Sequence, residues 1–390
     1  MKKNIEIILI LFFNSGFFIM NGQDKEIVII DSHTEKPVNL VQIYYPLLQT
    51  GGISNEDGKA IFPIKKEVLI TSHINYNERK IDFEELERLD TLRLHPKQNV
   101  LNEVVIYNYD LKNKISEVLK EYTKHYSSKK IINHATYKET HEVNDSLVRL
   151  FQIQLDWWSK NYIYDFNSKV EKFNRLKVKN VDYSKIGLDT SYTAKGAVMD
   201  NSDFFKFCHL NFLLYIIRYK TKDIRINSVT KNGDFVQVNF DGKMIEDEKT
   251  IYNFENSSIT FQGNTIHNIR LNMKYTGEVN HKSVSKKYKI PYTSKVYLHK
   301  VELSFKKNFS DKLFLGLFKS ELTGEIEIYK NTSKITTSQK LLINKTEFGK
   351  RLKISDFDLK KPFHENLKEK NKSNNLKFRL TKKEIAFMDE

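Results

Sequence analysis

The sequence predicts a mainly β protein: an N-terminal seven-stranded β-sandwich, a connecting helix, then a larger antiparallel β-sheet domain that can curve around a helix. Three observations carry this. Short β-branched runs punctuated by turn residues fill the first hundred positions, a single apolar stripe at helical spacing follows, and beyond residue 131 the apolar pattern has a period of two. The boundaries that these patterns set are 24–108 for the sandwich, 109–126 for the helix, 127–360 for the β-rich domain and 361–390 for a basic C-terminal tail.

Ahead of the sandwich, Lys2 and Lys3 precede an apolar run at 7–13 that 17–20 extends, and Gly22 stands before polar Gln23. Charge, apolar core and small residue come in the order of a secretory signal, so 1–22 is expected to be a signal peptide cleaved near Gly22. An uncleaved anchor is the alternative, but a spanning helix needs about 20 apolar residues, and Asn14, Ser15 and Gly16 interrupt this run. No cysteine follows the signal region, which argues against a lipid-anchored form; the single Cys208 excludes an intramolecular disulfide.

Strands of the first domain are expected at 26–30, 38–45, 59–64, 68–74, 79–83, 91–94 and 100–107. Asn55-Glu56-Asp57-Gly58 forms a tight turn, since glycine takes positive φ without steric cost. In the connecting segment Asp110 can cap a helix whose apolar face carries Leu111, Ile115, Val118, Leu119 and Tyr122. A one-sided helix must bury that stripe, and the second domain is its expected partner. There, Asn144-Asp145, Asn232-Gly233 and Gly263-Asn264 read as hairpin turns. In 266–275, Ile269, Leu271 and Met273 alternate with Arg270, Asn272 and Lys274, so one face is dry and the other wet. The segment 202–219 is dense in Phe, Leu and Ile but is interrupted by Lys206, His209 and Asn211; a core helix, or a helix passing into a strand, is expected, with insertion into a membrane surface as the alternative.

The first domain resembles the carboxypeptidase-like regulatory domain, a module common at the N-termini of envelope proteins in the Bacteroidetes. The likeness rests on Ile27-Val28-Ile29-Ile30-Asp31 with Lys36-Pro37-Val38, the turn and strand Ser54 to Phe62, Leu69-Ile70-Thr71-Ser72, and the close Leu92-Arg93-Leu94-His95-Pro96 with Val100 to Ile106. Asn75 stands where the family usually has glycine. The resemblance implies a transthyretin-like sandwich without chemistry of its own; the zinc site of the carboxypeptidases does not travel with it. The order sandwich, helix and Thr136-Tyr137-Lys138-Glu139-Thr140 resembles full-length Bacteroidetes proteins with a poorly characterised β-rich second domain.

Candidate chemistry is sparse. Cys208 beside His209 is a poor nucleophile–base pair, because neighbours on a helix or strand point apart, and a buried thiol among phenylalanines is expected. His299 and Glu302 form the His-x-x-Glu spacing inside an alternating run, where residues three apart face opposite sides. His134 and His141 lie away from any cysteine or carboxylate at ligand spacing. No Gly-x-Ser-x-Gly, His-Glu-x-x-His or glycine-rich phosphate loop is present. Catalytic, cofactor-binding and metal residues are therefore none, and no cofactor is expected.

The net charge of +15 is spread along the chain, with concentrations at 169–185, 282–289 and from Lys360 onward. Spread charge and export exclude nucleic acid as the partner; solvated surface is expected, with anionic lipid or polysaccharide as the alternative. The functional expectation is an exported protein of the periplasm or outer membrane, not an enzyme, that binds or assembles envelope components. The competing expectation is a hydrolase acting on glycan or peptide through carboxylates of the second domain. The chain is too short for a plug and a 22-strand receptor barrel of about ten residues per strand. An outer-membrane protein or TonB-dependent receptor remains a candidate partner.

Overall fold

A computed structural model describes residues 24–48, 50–73, 75–96, 109–160, 163–166, 168–187, 201–246, 249–276, 280–284, 289–307, 312–349, 351–353, 357–367 and 379–390. The expected signal segment and the expected strand at 100–107 lie outside these residues.

Among the described residues the first domain has seven strands: β1 (Asp24–Asp31), β2 (Gln42–Tyr45), β3 (Thr50–Ile53), β4 (Lys59–Pro63), β5 (Leu69–His73), β6 (Tyr76–Ile81) and β7 (Thr91–Leu94). They form two sheets of order β4-β1-β7 and β3-β2-β5-β6, with β1 and β7 parallel. Ile27, Ile29, Ile43, Tyr45, Phe62, Leu69 and Leu92 meet in a core between the sheets. The Asn55 turn closes as read: Gly58 has φ +73, and Asn55 Oδ1 accepts from the backbone N–H of Asp57 and Lys59 at 2.9 Å each. Two features depart from the expectation. β3 contains Gly51-Gly52, residues with poor strand propensity; a Cβ at Gly51 would lie 1.9 Å from the Ile43 carbonyl oxygen, so the close pairing with β2 demands glycine. The expected strand at 79–83 ends at Ile81, because the Asp82 side chain accepts from Glu85 N–H and caps helix α1 (Phe83–Arg88).

Helix α2 (Leu111–Lys120) is capped by Asp110, whose Oδ1 accepts from Asn113 N–H at 2.9 Å. A short helix α3 (Tyr122–His125) extends it. Leu111, Ile115, Val118 and Tyr122 are buried in the same core as the large sheet.

That sheet contains β8 (Ile131–Val143), β9 (Ser146–Ser159), β10 (Asn174–Ile186), β11 (Thr221–Asn232), β12 (Phe235–Glu246), β13 (Lys249–Gln262), β14 (Thr265–Tyr275), β15 (Asn280–Val284), β16 (Pro291–Lys307), β17 (Leu313–Ile328) and β18 (Asn331–Phe348). Ten run in the order β10-β9-β8-β18-β17-β16-β14-β13-β12-β11, and β15 pairs with β16 off this path. Among the described residues all the pairings are antiparallel and the sheet does not close. Asn144, Asp145, Gly233 and Gly263 take positive φ at the hairpin turns expected of them.

The apolar segment between β10 and β11 is helical and then passes into a strand: α4 (Asn201–Phe207), α5 (Leu210–Tyr215), a π-helical turn Ile216–Lys220, then β11. Phe204, Phe205, Leu213 and Ile217 pack into one core with Tyr137, Trp157, Phe240, Phe254, Leu271, Leu303 and Phe318. Strand alternation makes much of that core: on β16, buried Val301, Leu303 and Phe305 alternate with neighbours that face out. Within the expected basic tail, Phe363 is buried and stacks on Tyr137 at 3.7 Å between ring centroids. The C-terminal helix α6 (Lys382–Asp389) lies on the outer face of β8 and β9, where Lys138 Nζ and Glu384 form a buried ion pair at 2.7 Å.

The sandwich docks on the outer face of the large sheet. Leu40 and Ile53 meet Leu317 and Leu342, and Gln42 Nε2 donates to Ser304 Oγ at 2.7 Å. The C-terminal segment ties both parts together: Arg379 pairs with Glu26 at 2.7 Å, and Asn55 Nδ2 donates to the Leu380 carbonyl at 3.2 Å. Because the sandwich keeps its own core, we expect Leu317→Asp to undock it without unfolding it, at a cost of at least about 3 kcal/mol of docking. Limited proteolysis should then release a resistant fragment covering the sandwich; a variant digested no faster than the wild type would contradict this arrangement.

Candidate functional site

The docked sandwich leaves a cleft of about 660 Å³ against the large sheet, within the range of small-molecule sites. One wall is the outer surface of β2 and the β5–β6 hairpin, with Gln42, Tyr44, His73, Tyr76 and Glu78. The other comes from the β11–β12 turn with Asp234 and Phe235, and from β13, β14 and β16 with Gln262, His267, Asn268 and Glu302. Leu40 and Leu317 close it where the domains touch. Strand alternation supplies the polar wall. On β16, Val301, Leu303 and Phe305 are buried, while Glu302, Ser304 and Lys306 point the other way.

Several of these groups are already committed. Lys306 Nζ donates to the Ile343 carbonyl at 2.8 Å and lies 5.8 Å from the centroid of the Tyr44 ring. Burial lowers its pKa to about 8. Tyr44 is pushed up to about 12 by burial, with Glu78 adding to the effect. The Tyr76 hydroxyl donates to Asp31 Oδ2 at 2.7 Å, which fixes its ring from behind. Its pKa is raised to about 12, first by burial and then by Asp31. Two ring pairs stand on the two walls: His73 with Tyr76 on the sandwich, and Phe235 with His267 on the sheet, each at 5.1 Å between centroids. Glu78, Asp234 and Glu302 are the carboxylates of the lining, and Glu302 lies 3.8 Å from Arg270.

The residues singled out from sequence go elsewhere or are split apart. His299 faces the interior, where its Nε2 meets Ser320 Oγ at 3.0 Å, while Glu302 faces the cleft. Among the described residues, no cluster of three His, Cys, Asp or Glu could hold a metal ion. Cys208 is fully buried, which pushes its thiol well above the usual value. His209 points to Asn174 Oδ1 at 3.3 Å instead. His134 has no carboxylate at ligand spacing in the sequence; the fold places its two ring nitrogens 2.7 Å from Asp156 and 3.2 Å from Glu347. These partners come from neighbouring strands, so no local spacing announces them. The lysines of 169–185 fall largely on the edge strand β10, where Lys177 and Lys179 are exposed.

Sequence reading missed a polar band inside the core. Arg149 Nε donates to Glu139 Oε1 at 2.8 Å with both side chains fully buried, and the Tyr137 hydroxyl donates to Glu139 Oε2 at 2.6 Å. Gln339 Nε2 donates to the Tyr137 hydroxyl at 2.9 Å, and His141 Nδ1 lies 2.7 Å from Thr337 Oγ1. The signal was present: Ala135, Tyr137, Glu139 and His141 share one face of β8, and three of them are polar. Removing one member of a fully buried pair strands the other charge, at a cost of about 3–5 kcal/mol. Glu139→Gln should therefore destabilise the chain by that amount in denaturant titration, and Glu139→Leu combined with Arg149→Met should recover most of the loss. Additive losses in the double variant would contradict the pairing.

Burial holds His299 down to about 3, and holds His364 to about 3 with Arg149 contributing. It also keeps His141 well below its usual value, with Arg149 and His364 adding to the effect. Below pH 6.5 the unfolded chain takes up protons at these rings and the folded chain does not, so stability falls as pH drops through 6.5 toward 3. The carboxylates Glu121 and Asp31, lowered to about 2, lose their contribution only below their unfolded values near 4.5 and 3.8. Between pH 7 and 5 the histidines should dominate, with a slope of up to about 1.4 kcal/mol per pH unit for each buried ring. His299→Asn should flatten that slope in urea titrations; an unchanged slope would mean that the ring titrates in the folded chain as it does in the unfolded one.

No protein-family model matches the chain, and no curated protein matches it. A crystal structure of a candidate membrane-associated protein of unknown function from Bacteroides fragilis aligns over 83% of this chain and 97% of that one, at 7% identity and a TM-score of 0.13. A superposition that loose establishes neither a shared fold nor a shared function.

Proposed function

We propose that this chain is an exported cell-envelope protein that binds or helps assemble another envelope component, and that the cleft between sandwich and sheet is the seat of that interaction. The observation that carries the reading is the cleft itself, about 660 Å³ with walls from both parts of the chain. The order of charge, apolar run and small residue at 1–22 supports export. The motifs shared with the carboxypeptidase-like regulatory domain support a docking module without chemistry of its own. A non-catalytic role agrees with the prior commitments of Lys306 and Tyr76 to Ile343 and Asp31. Among the described residues no helix is long and apolar enough to cross a membrane. An outer-membrane protein such as a TonB-dependent receptor is the partner class that we favour for assembly, with anionic lipid or polysaccharide contacting the lysine-rich surface.

The carboxylates Glu78, Asp234 and Glu302 in one cleft favour a second reading, hydrolysis of glycan or peptide. Cell fractionation combined with photocrosslinking from position 262 in the cleft and from exposed position 329 tests the first. The protein should enter the envelope fraction, and adducts should form from 262 and not from 329. Cytosolic protein, or equal labelling from both positions, would overturn the proposal. Turnover of envelope glycan or peptide that disappears in Glu302→Gln would replace it with the hydrolase.

A further inference from the structure

We infer that the ligand of the interdomain cleft is a neutral glycan segment. The inference rests on the reading of the cleft as a binding seat and adds the chemical class of what sits there.

The first argument is charge. The chain as a whole carries +15, yet the cleft does not express it. Its lining holds Glu78, Asp234 and Glu302 against Lys306 and Lys307. The Lys306 ammonium already donates to the Ile343 carbonyl beneath the Tyr44 ring. With Glu302 itself beside Arg270 at 3.8 Å, the lining has no surplus of positive charge, so an anionic ligand, whether phosphate, carboxylate or sulfate, would meet more favourable sites elsewhere on the surface. A cation has no clustered acidic cage, since among the described residues no three such groups converge.

The second argument is the kind of polar group. Five amides line the cleft, Gln42, Asn77, Asn232, Gln262 and Asn268, and Ser72, Thr260 and Ser304 add hydroxyls. An amide both donates and accepts, as a sugar hydroxyl does, so each can meet a hydroxyl without leaving a charge unpaired. The third is the placement of the rings. His73 with Tyr76 on the sandwich wall and Phe235 with His267 on the sheet wall place aromatic rings on both sides, the first pair tilted and the second edge to face. A pyranose presents C–H groups on its faces and hydroxyls around its rim. The C–H groups suit an aromatic face and the hydroxyls suit the amides between.

An extended peptide is the natural competitor, because β6 is an edge strand and lines the cleft. Strand addition needs a free backbone edge. At the cleft that edge is taken: Asn77 N–H donates to the His95 carbonyl at 3.0 Å, and Tyr76 bridges to Pro96. The cleft offers side chains where a peptide would need backbone.

Titration calorimetry on the full mature chain tests this. The probes are neutral tetrasaccharides of glucose, mannose and N-acetylglucosamine, an anionic tetragalacturonate, and an extended uncharged peptide, each at 50 and 300 mM salt. At least one neutral tetrasaccharide should bind, with an affinity that changes less than twofold between the two salts. Phe235→Ala and Gln262→Ala, both at the cleft surface, should each weaken it about tenfold while leaving the thermal midpoint unchanged. Exclusive binding of tetragalacturonate with a steep loss at high salt would overturn the neutral class, as would exclusive binding of the peptide. If no probe binds but position 262 still crosslinks a partner, the glycan inference falls and the binding seat stands. If neither occurs, both fall.

Discussion

Among the described residues the path of ten strands is open and presents one broad, mostly apolar face, which segments outside the sheet cover. Everything else in the second domain follows from covering that face. The segment Asn201–Phe207, Leu210–Tyr215 and the π-helical turn after them supply Phe204, Phe205, Leu213 and Ile217 to it, and α2 adds Ile115 and Val118. Dry contacts of this kind contribute about 25 cal/mol per Å² of apolar surface removed from water. The two free edges carry the opposite solution. Lys177 and Lys179 on β10, and Lys222, Asp223 and Arg225 on β11, are exposed charges that discourage pairing with another sheet.

Inside that dry face, the fully buried Arg149–Glu139 pair is costly to desolvate, and apolar side chains of similar size would pack there at less expense. Its geometry suggests what it does. Glu139 lies directly opposite Gln339 on β18, and His141 lies opposite both Arg149 on β9 and Thr337 on β18. A slip of one residue in either pairing would turn these side chains to the other face. Strands rich in alternating Leu, Ile and Phe have many acceptable registers, and a polar band that can be satisfied in one register selects it.

Much of the fold was legible in the sequence because its signals are local. Asn232-Gly233 and Gly263-Asn264 announce turns, and Ile269, Leu271 and Met273 announce a face. Asp110 and the stripe behind it announced α2 in the same way. The strands β17 and β18 were harder. Their connection turns at Tyr329 and Lys330, both with positive φ and neither a residue that favours it. β17 also opens on a run, Leu313-Phe314-Leu315, without alternation. The cleft was not legible at all. Gln42 and Ser304 stand 262 positions apart and touch only after two domains have docked. Their polar side chains on outward strand faces read, one at a time, as ordinary wet surface.

The sandwich and the large sheet meet through a small apolar cluster, Leu40, Ile53, Leu317 and Leu342, beside the Gln42–Ser304 hydrogen bond, and the C-terminal segment adds the Arg379–Glu26 ion pair to the sandwich. The central claim is that this junction fixes the two walls of the cleft as one structure. Pulsed electron–electron spin distance measurement addresses it directly, because the single native cysteine, Cys208, is fully buried and leaves introduced cysteines as the sites of labelling. With labels at Glu78→Cys on the sandwich wall and Asp234→Cys on the sheet wall, the account expects one short, narrow distance distribution. A broad or multi-peaked distribution would show that the domains move independently, and the cleft would then not exist as a site.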